Sequence, residues 1–214
     1  MHFFTIPLWA DLLAVGIGSL QGAIFSAQFR DKRLDWLGVA IIGIATGFGG
    51  GLLRDILLSA PIAPLHNNWY LIVATGAALV GMLAERIFSR LSAVITVLDA
   101  LTIGLFGAIG TTKALSLGLP PVPAIFVGVL AAVGGSILRD LLLGIPIAIM
   151  QVGSLYAVAA FAGATTIVIL VAFGVNVLVA AVVGVVVTFG VRVLAVLFKW
   201  SLPEQRPLRL RRRD

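Results

Sequence analysis

Cysteine is absent from this chain of 214 residues, so neither a disulfide framework nor a thiolate metal site is available to it. Charge is scarce too: Asp, Glu, Lys and Arg make up 11% of the residues, against about 25% in soluble domains. The two histidines, His2 and His66, have no carboxylate cluster near them in sequence, so no metal site and no resident cofactor are expected. No nucleophile–base constellation, Walker loop or dinucleotide motif occurs. The run from Gly47 to Gly51 is embedded in an apolar stretch and follows no strand, so it is not a phosphate loop. Enzymatic activity is therefore not expected. The N-terminus, Met-His-Phe-Phe-Thr-Ile-Pro, lacks the basic start of a signal peptide, and the first apolar stretch is expected to stay in the mature protein.

Apolar residues fill the space that charge leaves. They make up 60% of the chain, and the mean hydropathy is +1.14. A helix needs about 20 apolar residues to cross a bilayer. Seven stretches qualify, at 8–28, 36–59, 68–88, 93–113, 121–144, 152–173 and 176–199. The expected fold class is an all-α membrane protein of seven transmembrane helices. The breaks are chemically sensible: the charged loop Arg30 to Arg33, the Pro/Asn turn from Pro61 to Asn68, the charges Glu85, Arg86 and Arg90, and the Pro120-Pro121 pair at a helix start. The least marked break is Gly174-Val175-Asn176. Seven crossings put the termini on opposite sides. With the N-terminus outside, the cytosolic segments hold Arg30, Lys32, Arg33, Arg86, Arg90 and the basic tail, while the outer loops hold only Lys113. The positive-inside rule favours that orientation. Six Arg and Lys residues lie from Lys199 to Arg213; they read as a cytosolic tail able to meet anionic lipid, not as a nucleic-acid face.

One motif occurs twice. Gly49-Gly-Gly-Leu-Leu-Arg-Asp-Ile-Leu-Leu58 returns as Gly134-Gly-Ser-Ile-Leu-Arg-Asp-Leu-Leu-Leu143, in register, and Pro61 and Pro146 follow at the same offset. Asp11 aligns with Asp99, Gly22 with Gly110 and Gly43 with Gly128. Three spans per copy is an odd number, so the second copy must enter from the opposite side, giving inverted repeats. The expected units are 1–92 and 93–174 as the two repeats, 175–199 as a seventh helix outside them, and 200–214 as the tail.

Charges inside apolar runs are costly, about 2.5–3.5 kcal/mol each on insertion scales. Arg54, Asp55, Arg139 and Asp140, with Asp11 and Asp99 at matching depths, are therefore the candidate pore-lining or gating charges. Neighbouring Arg and Asp point about 100° apart on a helix, so pairing across helices is expected, Asp11 with Arg54 and Asp99 with Arg139. Such pairs can gate an aqueous path or only staple the helix order. Gly49, Gly50, Gly51, Gly134, Gly135 and Ser136 are candidate hinge positions, because consecutive glycines favour a bend. A bend exposes carbonyls, which are suitable partial ligands for a monovalent cation. Gly43, Gly47 and Gly51 also form a small-residue series of the kind that packs helices closely. Gln21, Thr46, Thr111, Thr112 and Gln151 could line a path or bond between helices; Trp69 and Tyr70 read as interfacial belt residues. Small residues of spans four and seven, for example Gly104, Gly107 and Gly110, are expected to face outward as well as inward and can carry subunit contacts.

The doubled motif in a three-plus-three-plus-one plan resembles the prokaryotic members of the TRIC family, the trimeric intracellular cation channels, a bacterial type also labelled provisionally as glycine transporter. The resemblance implies a homotrimer in a prokaryotic inner membrane, with a potassium-preferring pore in each subunit between kinked second and fifth spans. On the matching positions, Gly49–Gly51 and Gly134–Ser136 would form the hinge and constriction, with the two Arg-Asp pairs around them. The chain departs in carrying Ser136 opposite Gly51, and it lacks the Lys-Glu-Val sequence of animal members. The alternative is a secondary transporter of a small amino acid such as glycine.

Overall fold

The computed structural model describes residues 7–29, 33–88, 92–151 and 155–203. Arg30, Asp31, Lys32, Arg90, His2 and the tail from Glu204 lie outside them, and so do their expected roles. Among the described residues there are eight α-helices: α1 (Leu8–Ala27), α2 (Trp36–Leu57), α3 (Ala63–His66), α4 (Asn68–Phe88), α5 (Ser92–Ser116), α6 (Pro121–Leu143), α7 (Tyr156–Ala172) and α8 (Val177–Leu197). A single 3₁₀ turn, Ala148–Met150, follows α6. Five helices, α1, α2, α5, α6 and α8, are long and apolar enough to cross a membrane; the apolar parts of α4 and α7 are shorter.

Local chemistry sets the helix ends. The Asp35 side chain accepts from Gly38 N at 2.7 Å and caps α2. Asn176 does the same for α8 through Leu178 N, while Gly174, at φ 80°, terminates α7. That faint sequence break is therefore a full stop followed by a cap. After α2, Ala60 N donates to Asp55 O at 2.9 Å; after α6, Ile145 N donates to Asp140 O at 3.0 Å. Both are Schellman-type closures. The left-handed residue is Gly144 (φ 60°) in the second and Ser59 (φ 49°) in the first.

The helices form one bundle. α1 packs against α4, α2 and α5; α6 packs against α5, α2 and α7; α8 lies on α7 and α5. Side-chain hydroxyls nest on glycines at several crossings: Ser19 on Gly47 and Thr46 on Gly22 between α1 and α2, Thr111 on Gly128 between α5 and α6, Thr188 on Gly163 between α7 and α8. Thr46 and Thr111 return their hydroxyls to their own helices, to Ile42 O at 2.7 Å and Gly107 O at 2.8 Å. They are packing residues here. Gly104, Gly107 and Gly110 do not face outward. They are buried inside the subunit, Gly104 against Val185 of α8 and the other two against α6, because close approach within the bundle consumes them.

The α2–α6 crossing is the tightest. A β-carbon on Gly49 would stand 2.8 Å from the Gly135 Cα, and one on Gly134 would stand 3.0 Å from Gly49 O. On Gly50 it would collide with Ala131 O, and on Gly135 with Thr46 O. Both helices run as uninterrupted α-helix through these residues. The glycines bring two intact backbones into contact.

The left-handed Ser59 gives a direct test. Exchanging it for glycine removes a penalty of about 1 kcal/mol, so Ser59→Gly should raise stability by about that amount, and Gly144→Ser should lower it comparably. Thermal or denaturant unfolding in detergent measures both.

Candidate functional site

The end of the bundle where α1 begins, the upper end, gathers four charges from three helices. Arg54, 1% exposed, donates through Nη1 to Asp11 Oδ1 at 2.9 Å and through Nη2 to Asp11 Oδ2 at 3.3 Å. Its Nε reaches back to Asp55 Oδ1 at 2.7 Å. A helical neighbour is within reach after all, because the guanidinium lies at the end of a long flexible stem that can wrap over its own last turn. Lys113, in the last turn of α5, donates to the same Asp55 Oδ1 at 2.7 Å. The other carboxylate oxygen, Oδ2, takes Ala63 N at 3.2 Å, at the start of α3. Tyr70 completes the group by donating to Asp11 Oδ2 at 2.7 Å. Tyr70 is buried, so it is not a belt residue; Trp69 beside it is exposed.

The lower end repeats part of this. Arg139 donates to Asp140 Oδ1 through Nε at 2.9 Å and Nη2 at 2.8 Å. Asp140 Oδ2 takes Ala148 N at 2.9 Å, at the start of the 3₁₀ turn. Both copies thus use one aspartate to bind its arginine, close its helix and pin the chain eight residues on. Tyr156, in the place of Tyr70, hydrogen-bonds Asp99.

The repetition then fails. Asp99 does not take Arg139 as its ion-pair partner. Arg192 of α8 occupies it, with Nε and Nη2 each 3.3 Å from Oδ2, and its guanidinium stacks over the Tyr156 ring at 3.7 Å. The Arg139 guanidinium instead lies over the Phe25 ring at 3.8 Å and donates weakly to Gln21 Oε1 at 3.4 Å, both on α1. Phe25 stands where the first-helix alignment of the repeats puts the counterpart of Lys113, an offset of 88. The lower end therefore lacks that cation, and the helix outside the duplication supplies another. Each end finishes with two carboxylates and two cations.

Sequence reasoning missed Arg192, Lys113 and the two tyrosines. Arg192 was readable as a lone ionised residue well inside an apolar run. Tyr70 and Tyr156 were readable from their 86-residue offset. Only the structure pairs Lys113 with Asp55, because nothing local links the last turn of α5 to the end of α2.

Gly51 differs from its neighbours. It is buried, yet a β-carbon there would meet only Arg54 Nη2, at 3.8 Å. A β-carbon there fits in ordinary van der Waals contact with the guanidinium and displaces nothing. Its counterpart Ser136 is partly buried and donates to Val133 O at 2.8 Å. His66 is exposed, with Nδ1 against Ile62 O at 3.0 Å.

Breaking a buried pair costs about 3–5 kcal/mol, so Arg54→Ala should destabilise strongly, and Asp11→Ala combined with it should cost well under the sum. The same double-mutant cycle on Asp99 and Arg192 should show comparable coupling, and the cycle on Asp99 and Arg139 clearly less. Unfolding measurements on the four-member sets check this ordering.

A family model described as Glycine transporter matches residues 8–86 and 96–172. The UPF0126 inner membrane protein YadS of Escherichia coli K12 is 30% identical over 199 residues, covering 91% of this chain and 94% of its own. A UPF0126 membrane protein of Deinococcus radiodurans is 36% identical over 159 residues, 73% of this chain and 72% of its own. The TRIC trimeric intracellular cation channel orthologue from Rhodobacter sphaeroides superposes with a TM-score of 0.82 at 31% identity, covering 90% of this chain and 98% of that one. These relatives and the five long apolar helices make the chain a multi-pass membrane protein, and the family is not one of enzymes. The chain belongs to the TRIC-type membrane family that the Glycine transporter model describes.

Proposed function

We propose that this protein is a passive channel for monovalent cations, potassium foremost, with a path in each subunit along the seam between α2 and α6. The observation that carries the reading is the make-up of that seam. Its middle is lined by glycine backbone, Gly51 leaves room for a side chain beside Arg54, and among the described residues each end is a formally neutral set of two acids and two bases. Backbone oxygens and neutral charge sets offer a monovalent ion partial ligands without a deep trap, and conduction needs binding weak enough to release. The likeness to solved TRIC cation channels supports the same reading. With α2 and α6 in contact at Gly49 and Gly135, the described conformation is the closed one. Opening requires the two backbones to part, and hinging at Gly49–Gly51 and Gly134–Ser136 is the way this sequence permits it.

The rest of the architecture follows as one proposal. α1, α2 and α4 form the first repeat, 1–92. α5, α6 and α7 form the second, inverted repeat, 93–174, and α8 crosses once more within 175–199. The N-terminus lies outside a prokaryotic inner membrane, the basic tail 200–214 lies in the cytosol against anionic lipid, and three copies assemble. The repeated aspartate contacts, Asp55 to Ala63 and Asp140 to Ala148, at opposite ends of the bundle, support the inversion. Lys113, partly exposed and bound to Asp55, is a charge suited to respond to membrane potential. The description of the family model keeps a second reading in view, a carrier of a small amino acid that Arg54 or Arg139 would hold by its carboxylate.

The absence of cysteine makes the test clean. Gly51→Cys and Ser136→Cys should fold, conduct potassium in planar bilayers and be blocked by a cationic thiol reagent, each from a different side. Gly50→Leu and Gly135→Leu should fail to assemble, because their side chains meet main-chain oxygens. Unmodified current in fully labelled Gly51→Cys and Ser136→Cys protein would remove the path from this seam. Saturable glycine counterflow without potassium current would establish the carrier.

A further inference from the structure

The two ends of the bundle treat equivalent arginines differently. Arg54 spans two carboxylates, Asp55 beside it and Asp11 on α1. Arg139 keeps Asp140 but not Asp99, although Asp99 is within its electrostatic range. Arg192 has taken that carboxylate, and Tyr156 supports the arrangement by bonding Asp99 with its hydroxyl while its ring carries the Arg192 guanidinium. Displaced from Asp99, Arg139 lies across α1, on Phe25 and Gln21.

We propose that Arg192 is a positioning residue for Arg139: by holding Asp99 it keeps Arg139 on α1 and so keeps the lower end of the α2–α6 seam tied shut. The inference rests on the channel reading only for the word shut; the exchange of partners stands without it. Arg139 thus has two stations. One, on Phe25 and Gln21, joins α6 to α1. The other, on Asp99 of α5, is the arrangement that Arg54 already adopts on Asp11 at the upper end, so the fold is known to accommodate it. Neither station leaves a bare charge while Arg192 follows the rule that each carboxylate keeps a cation. Removing Arg192 alone leaves Asp99 buried and unpaired, a penalty that drives the nearest cation towards it. A stacked guanidinium with one weak amide acceptor is easily drawn away, whereas its bonds to Asp140 go with it.

The experiment uses the full-length protein, reconstituted in planar bilayers with symmetric potassium chloride, alongside structures of the same variants. In Arg192→Met, Arg139 should be found within salt-bridge distance of Asp99, and open probability should rise about fivefold or more with unitary conductance unchanged. In Asp99→Asn/Arg192→Met, neither charge remains, so Arg139 should return to Phe25 and open probability to the wild-type value. A merely structural Arg192 predicts no such recovery. If Arg192→Met does not assemble, Arg192→Gln, which offers Asp99 an amide but no cation, should raise open probability in the same direction. Arg139 still on Phe25 in the Arg192→Met structure, or unchanged open probability in Arg192→Gln, overturns the proposal. A silent wild-type protein would sink the channel reading, and the position of Arg139 in the variant structure would still decide the positioning role.

Discussion

A carboxylate or guanidinium placed in a low-dielectric interior is tolerable only when an opposite charge meets it, because the desolvation penalty is several kcal/mol for each ion. That requirement organises this bundle. The helices come together such that α1, α2 and α5 each carry charge to the upper end, and α5, α6 and α8 each carry charge to the lower one. Helix order, depth and rotation are fixed by having to bring these groups within 3–4 Å of one another. The tyrosines then take the remaining carboxylate lone pairs, and the aspartates of the repeated motif use theirs to fold the chain back after α2 and α6.

Between the clusters the constraint is of another kind. About 15–20 Å of helix separates Asp11 from the Gln21 to Phe25 region at 1.5 Å per residue, and that length is packed by glycines, alanines and inward-turned hydroxyls. Backbones touch where α2 crosses α6. A seam held by backbone contact, with Leu53 and Leu138 reaching over the facing glycines, has few interlocking side chains to unthread when it parts, whereas the charged ends must exchange partners to let it go. Stability and mobility are thereby allotted to different parts of the same two helices.

Much of this was legible in the sequence. Helix positions followed from apolar run length, and Asn68–Phe88 matches the expected third span to the residue. The Asp11–Arg54 pair followed from matched depth alone. The second pair did not, because symmetry argued for Arg139 and a helix outside the symmetry intervened. Consecutive glycines permit both bending and close approach, and sequence carries no information about what faces them. Gly104, Gly107 and Gly110 were misjudged for the same reason: a small residue announces proximity to something without saying whether that is a partner subunit or the next helix.

The placement of the charges also has a consequence for how the chain can be built. Asp11 and Arg54 are 43 residues apart, and Lys113 completes their group 58 residues after Asp55. Asp99 is 93 residues from Arg192. During synthesis, the upper group can be neutralised once α5 has left the ribosome, while the lower group waits for the last helix. A nascent chain halted before α8 carries one finished end and one with an acid too many, so α8 acts as a completeness check, read by the membrane itself.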